Sequence, residues 1–305
     1  MKLFLSSIAI CLVLDCLTLN KAQSENLTLP TYLPNSCIID VNDPYEPDVK
    51  MTAGPLKDFC VNPLTRRSVE ILSDFEAARY FIPLAGTLTV ANFSHLGKFW
   101  VAQIPVAQVQ KLKMQIEYFP IIKFPKLDIA HTQFLFEFKE GSKILLAPQV
   151  KNSFVSATHV ELKKMIFSVE NIGPYGEKFA ALKGLKGHYN IAYRAISLHD
   201  KFKWMVSEQK HIVSQKLLAL TPEQVYIVLM ESLNRGSYWS TTRAYNTIRP
   251  NCVSELFSIL DAALNLKNFY VPFIPNFAPQ ALSSRGLLEK NIQLLNLNEE
   301  YDGKP

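Results

Sequence analysis

After Leu14 the chain has no apolar run near the roughly 18 residues that a transmembrane helix needs, so the mature protein is expected to lack a membrane span. Histidine pairs with zinc-type spacing are missing, and cysteine is scarce, with five in 305 residues. Neither a metal nor a cofactor is therefore expected. No nucleic-acid module is present, and aromatic and basic residues do not interleave as such a module requires. Internal repeats and low-complexity runs are absent too. The excess of positive charge is small: +5 formally, +4 without residues 1–22, which hold Lys2, Lys21 and Asp15. It is concentrated in residues 150–216, with eleven Lys/Arg against five Asp/Glu, a mild basic region that suits solvent or an anionic lipid surface.

What is present begins with an export signal. Met1-Lys2 is followed by a mostly apolar run from Leu3 to Leu14, then by Asp15 and mainly polar residues from Asn20 to Glu25. A basic start, a short apolar core and a polar exit describe a secretory signal, cut near Ala22. Asp15 argues against a lipid-anchor site at Cys16, which needs a small residue before it. Cys11 and Cys16 leave with the signal, and Cys37, Cys60 and Cys252 remain. Cys37 and Cys60 share a region rich in Pro and Asp and form the natural disulfide of an exported chain. Cys252 is left alone. It is either a buried core thiol or a nucleophile.

Residues 23–120 read as an irregular arm and accessory region, with six prolines from Pro30 to Pro63, a helix over Thr65–Tyr80 and strand-like segments over 86–110. A second block, 121–298, opens on His131-Thr-Gln-Phe-Leu-Phe-Glu-Phe138, an alternating strand. Thr132, Phe134, Phe136 and Phe138 share one face of it, and His131, Gln133, Leu135 and Glu137 the other. A turn at Glu140-Gly141-Ser142 is expected to return Lys143–Val150 as its hairpin partner. Two helices have clear starts. Thr221-Pro222-Glu223-Gln224 is a capping box with proline at the first helical position. Asn251 is an N-cap that places Cys252 at the start of a helix striped with Val253, Leu256, Phe257 and Leu260. The tail from Phe269 is expected to wrap extended over the domain, with 299–305 disordered.

A thiol at a helix N-terminus meets the positive end of the dipole and free backbone N–H groups, which favour thiolate and can serve as an oxyanion hole. Such a nucleophile needs a base. Of six histidines (His95, His131, His159, His188, His199 and His211), only His131 opens a well-formed strand.

Five segments together resemble a bacterial exported family, the periplasmic domain of the Lnb-type lipoprotein N-acyltransferases. They are Ala130–Phe136, Gly187-His-Tyr-Asn, Leu218–Gln224, Tyr245 with Asn251-Cys252, and Phe273-Ile274-Pro275 through Arg285-Gly286-Leu287. The likeness spans about residues 121–290. That family in turn resembles circularly permuted papain-like enzymes, such as NlpC-type peptidases and lecithin:retinol acyltransferase-like proteins. The resemblance implies an α+β fold, with an antiparallel sheet packed on helices behind an N-terminal extension. It implies Cys252 as nucleophile and His131 as base. Gln149 is the candidate orienting residue, with Glu137 as a second, and Asn251 and Tyr245 either support the oxyanion or only cap and pack. The implied reaction is acyl transfer through a Cys252 thioester, from a phospholipid to a lipoprotein or another amine at a membrane surface. The alternatives are a cell-wall peptide amidase and an inactive binding protein on the same fold.

Overall fold

The computed structural model describes residues 40–119, 129–151, 159–289, 292 and 294–301. The signal segment and Cys37 lie outside them. Cys60 is disulfide-bonded and Cys252 carries a free thiol.

Eleven strands form one sheet among the described residues: β1 (Glu70–Ile71), β2 (Leu88–His95), β3 (Lys98–Ile104), β4 (Val109–Phe119), β5 (Ile129–Phe138), β6 (Ile144–Pro148), β7 (Val160–Leu162), β8 (Lys164–Ile172), β9 (Tyr189–Ser197), β10 (Ile212–Leu217) and β11 (Ala244–Tyr245). The main order is β10-β4-β5-β8-β9-β2-β3-β6-β7, with β1 on β2 and β11 on β9. β2 runs parallel to β9 through Ser94 and Ile196, which makes the sheet mixed rather than purely antiparallel.

The alternation of β5 decides which side each helix takes. Phe134 and Phe136 join Phe167 of β8 and Tyr193 of β9 in the main core, under the Pro222–Trp239 and Cys252–Ala263 helices. On the other face, Leu135, Ile166 and Ile196 pack against Leu198, Phe202 and Met205 of the Leu198–Phe202 helix and the π-helical turn Lys203–Glu208 that continues it. Both long helices begin as the sequence predicts. Thr221 and Gln224 cap each other reciprocally, and Asn251 accepts from the Ser254 amide while Ser254 Oγ accepts from the Asn251 amide.

The Pro222–Trp239 helix approaches the sheet closely through Gly236. A Cβ there would sit 2.5 Å from Val69 Cγ1 and 3.2 Å from Tyr193 Cβ. Gly236→Ala is therefore expected to destabilise by about 1–3 kcal/mol despite its better helix propensity. A thermal melt checks this, and an unchanged or higher Tm would show that the contact yields.

Several expectations are corrected. Residue 120 is no domain boundary, because β4 and β5 pair along their whole length and β2, β3 and β4 belong to the same sheet. Thr65–Tyr80 is not one helix. The Val69 amide bonds to Tyr193 O and Ile71 pairs with Val90, leaving only Asp74–Ala77 helical behind a Ser73/Glu76 capping box. β6 is not the hairpin partner of β5. The chain turns at Lys139–Ser142, but β6 pairs with β3 and β7, while β4 and β8 flank β5. The tail is not wholly extended, since Ala278–Ser284 and Leu297–Glu300 are helical. Glu300 belongs to ordered structure, because its carboxylate accepts from Gln215 Nε2 at 2.6 Å and pairs with Lys113 and Lys164.

Candidate functional site at the Cys252 helix

Cys252 begins a 12-residue helix, Cys252–Ala263, whose buried face rests on β5 and β8. Its sulfur is surrounded by donors: the amide and hydroxyl of Thr132 on β5, and the amides of Val253 and Cys252 itself. These favour thiolate, but burial outweighs them and pushes the thiol above its ordinary value. The Thr132 hydroxyl is buried and has no hydrogen-bond partner among the described residues, so it stands near the sulfur as a donor not yet engaged. Tyr245 is a buried neighbour whose phenol is raised by burial first and by Cys252 second.

A rim of exposed apolar side chains lies beside this helix start. Asn251 Nδ2 donates to Thr247 O, Ile248 O and Phe273 O, tying the turn before Cys252 to the segment after Asn268. Arg249 adds a bond to Val271 O. From the far side Arg285 grips Asp261 through two bonds of 2.7 and 2.8 Å and Tyr270 O through a third. Held in this way, the segment presents Phe269, Tyr270, Ile274 and Phe277 to solvent, with Ile248 beside them.

His131 is not part of this arrangement. Thr132 faces the sulfur, so its strand neighbour His131 faces the opposite side of the sheet, where its Nε2 lies 2.8 Å from Ser168 Oγ. There it meets Glu170, Arg194, Lys201 and Arg66, and burial with these cations pushes the imidazole down to about 3. Glu170 carries the charge balance of that cluster, pairing with Arg194 at 2.6 Å, Lys201 at 2.6 Å and Arg66 at 3.0 Å.

The other candidates are elsewhere. Gln149 is a clamp, accepting from the Asn92 amide and donating to Asn92 Oδ1 and Asp43 Oδ1. Glu137 pairs with Lys113 and Lys164, roughly 20 Å along β5 from His131. Sequence reasoning missed Thr132 and the charged layer of Glu170, Arg194 and Lys201. The signal was available, since Ser168, Glu170 and Arg194 are polar interruptions at alternate positions of otherwise apolar strands.

The molecule is thus an α+β domain with a free thiol, Cys252, at a capped helix start. A family model, the Lnb N-terminal periplasmic domain, matches residues 102–273. This is more than half of the chain, which belongs to that family and is periplasmic. The match begins in β3, in keeping with one sheet across residue 120. No curated protein and no solved structure matches the chain. None of the helices among the described residues is long and apolar enough to cross a membrane.

Proposed function

We propose that this chain handles acyl groups at a membrane surface, with Cys252 as the residue that accepts the acyl group. One observation carries the reading: the donor-lined sulfur and the exposed apolar rim lie at the same helix start. In this reaction Sγ attacks an ester carbonyl of a phospholipid, the S–C bond forms and the C–O bond to glycerol breaks. The thiol proton ends on the departing oxygen, giving a thioester and a lysophospholipid. The amine of a lipoprotein or another acceptor then attacks the thioester, takes the acyl group and returns a proton to sulfur. The Thr132 amide and hydroxyl and the Val253 amide are the donors placed to stabilise the oxyanion. His131 has no part in it. The permuted papain-like relationship belongs to the same reading, with the helix-start cysteine packed on the sheet as its support.

A second reading is favoured by a specific observation. The thiol is raised rather than lowered and no imidazole bonds to it, which suits an inactive acyl-binding domain built on the same scaffold. One experiment separates the two. The chain is incubated with phosphatidylethanolamine–phosphatidylglycerol vesicles and its intact mass is measured. A mass increase of one acyl chain, removed by hydroxylamine and absent in Cys252→Ala, is the expected result. Vesicle binding with no adduct establishes the inactive reading, and neither binding nor adduct refutes both.

A further inference from the structure

We infer that His95, His199 and Asp200 form a binding site for a divalent transition metal of the zinc type. The sequence gives no hint of it, because His95 is 104 residues from His199. The fold closes that distance. β2 and β9 run parallel, with Ser94 opposite Ile196, so the two strands end side by side. His95 is the last residue of β2, and His199 and Asp200 lie in the first turn of the helix that follows β9. One ring nitrogen from each histidine and one carboxylate oxygen of Asp200 all lie within 4.8 Å of one another. Tetrahedral zinc with bonds of about 2.0–2.1 Å needs its ligand atoms roughly 3.3 Å apart. Rotation of His199, whose side chain is 43% exposed, supplies the remaining movement.

Partners around the ligands hold them in place, as the outer groups of metal sites do. His95 is buried and its Nδ1 lies 3.0 Å from Ser197 Oγ, which also accepts from the Asp200 amide. A proton on Nδ1 bonded to Ser197 leaves Nε2 with its lone pair, the tautomer a metal requires. Asp200 is fixed to the β2–β3 turn, where its two oxygens accept from the amides of Leu96 at 2.8 Å and Gly97 at 3.2 Å. Oδ1 also faces His199 Nδ1 at 3.4 Å, so Oδ2, with the Gly97 amide as its partner, is the oxygen that keeps a lone pair for a cation.

The site also has access. Asp200, Leu96 and Gly97 border a cleft of about 300 Å³ whose other walls are Lys203, Trp204 and Glu208. Of the three ligands Asp200 borders this cleft, so a coordination position for water or an anionic oxygen opens on the Asp200 side, beside Lys203 and its partner Glu208. Two imidazoles and one carboxylate suit zinc, nickel, cobalt or iron rather than calcium or magnesium, which take oxygen ligands. The site does not depend on the thiol reading, since it is built at the ends of the central strands β2 and β9 and from the helix that follows β9.

The test is titration of the untagged full chain with Zn²⁺ by calorimetry, with Co²⁺ as a spectroscopic substitute. One equivalent should bind, and Co²⁺ should give visible d–d bands. A hundredfold excess over Kd should raise Tm by about 5 °C. His199→Ala, at a half-exposed position, should keep the apo Tm and weaken binding roughly 100-fold or more, since lost outer partners alone cost 10–100-fold. His95→Gln should lose binding likewise, while His159→Ala, just before the edge strand β7, should keep it. Absence of stoichiometric Zn²⁺ binding, or unchanged affinity in His199→Ala, overturns the site.

Discussion

Glu170→Ala is expected to destabilise the fold by about 3–5 kcal/mol, a fall in Tm of roughly 6–10 °C, while leaving the reactivity of Cys252 unchanged. Glu170 is buried on the face of the sheet away from the Cys252 helix. Its Oε1 accepts from Ser168 Oγ at 3.0 Å and pairs with Lys201 at 2.6 Å. Its Oε2 pairs with Arg194 at 2.6 Å and Arg66 at 3.0 Å. Burial raises a carboxyl, yet the three cations overrule it, Arg194 first, and hold Glu170 well below the usual range. The large cost of removal comes from what is left behind. The side chains of Arg194 and Lys201, 12% and 8% exposed, would face each other with no anion between them. Lys201→Met in the Glu170→Gln background should recover part of the loss, because it removes one of the orphaned charges. Chemical denaturation of the three variants measures these differences. A loss under about 1 kcal/mol in Glu170→Ala would mean that water already solvates the cluster.

The two helix starts were legible in the sequence because capping is local chemistry, written within four residues at Thr221–Gln224 and Asn251–Ser254. β5 was legible for the same reason, through its alternation. What failed was pairing over distance. Nothing in residues 131–150 says that β6 leaves β5 to join β3, because that choice depends on the β2–β3 hairpin some 40 residues earlier. The error at His131 is more instructive. The alternation that gathers Thr132, Phe134 and Phe136 on one face already places His131 on the other. The helix behind Cys252 carries an apolar stripe, and such a stripe must cover the phenylalanine face. Taken together, these two patterns select Thr132 as the neighbour of the sulfur. Choosing His131 because it opened the strand used position along the strand and ignored direction across it. The His95–His199–Asp200 grouping was hidden differently, since it exists only through one parallel strand pairing.

The chain is expected to lose about 2–3 kcal/mol of stability between pH 6.5 and 4.5, most of it through His131. In the folded protein burial, with Lys201 next, pushes this imidazole down to about 3, against an ordinary value of 6.5. The unfolded chain therefore takes up a proton on His131 as pH falls through 6.5, whereas the folded chain stays unprotonated there until about pH 3. The unfolded state binds more protons across that window, so stability falls with falling pH. His95 is lowered by burial and acts in the same direction. Glu170 works lower down, because its depressed carboxyl contributes fully above the ordinary carboxylate range and loses that contribution only as pH falls toward its own lowered value. Glu70 and Glu117, raised by burial, act in the opposite direction as pH falls toward the carboxylate range, so the difference between the wild type and His131→Gln, rather than the window itself, isolates the imidazole. His131→Gln keeps a polar partner for Ser168 and removes the titration, so the slope of stability against pH should drop by close to one proton. Denaturant midpoints at four pH values supply that slope, and an unaltered slope in His131→Gln would show that the imidazole is solvated. The same substitution decides the thiol question. With His131 across the sheet, the rate of Cys252 alkylation by iodoacetamide should follow the same pH curve in both proteins, rising only above the free-thiol range because burial raises Cys252. A shift of that curve in His131→Gln would mean that the imidazole reaches the sulfur in solution, and the separation of the two faces would have to be abandoned.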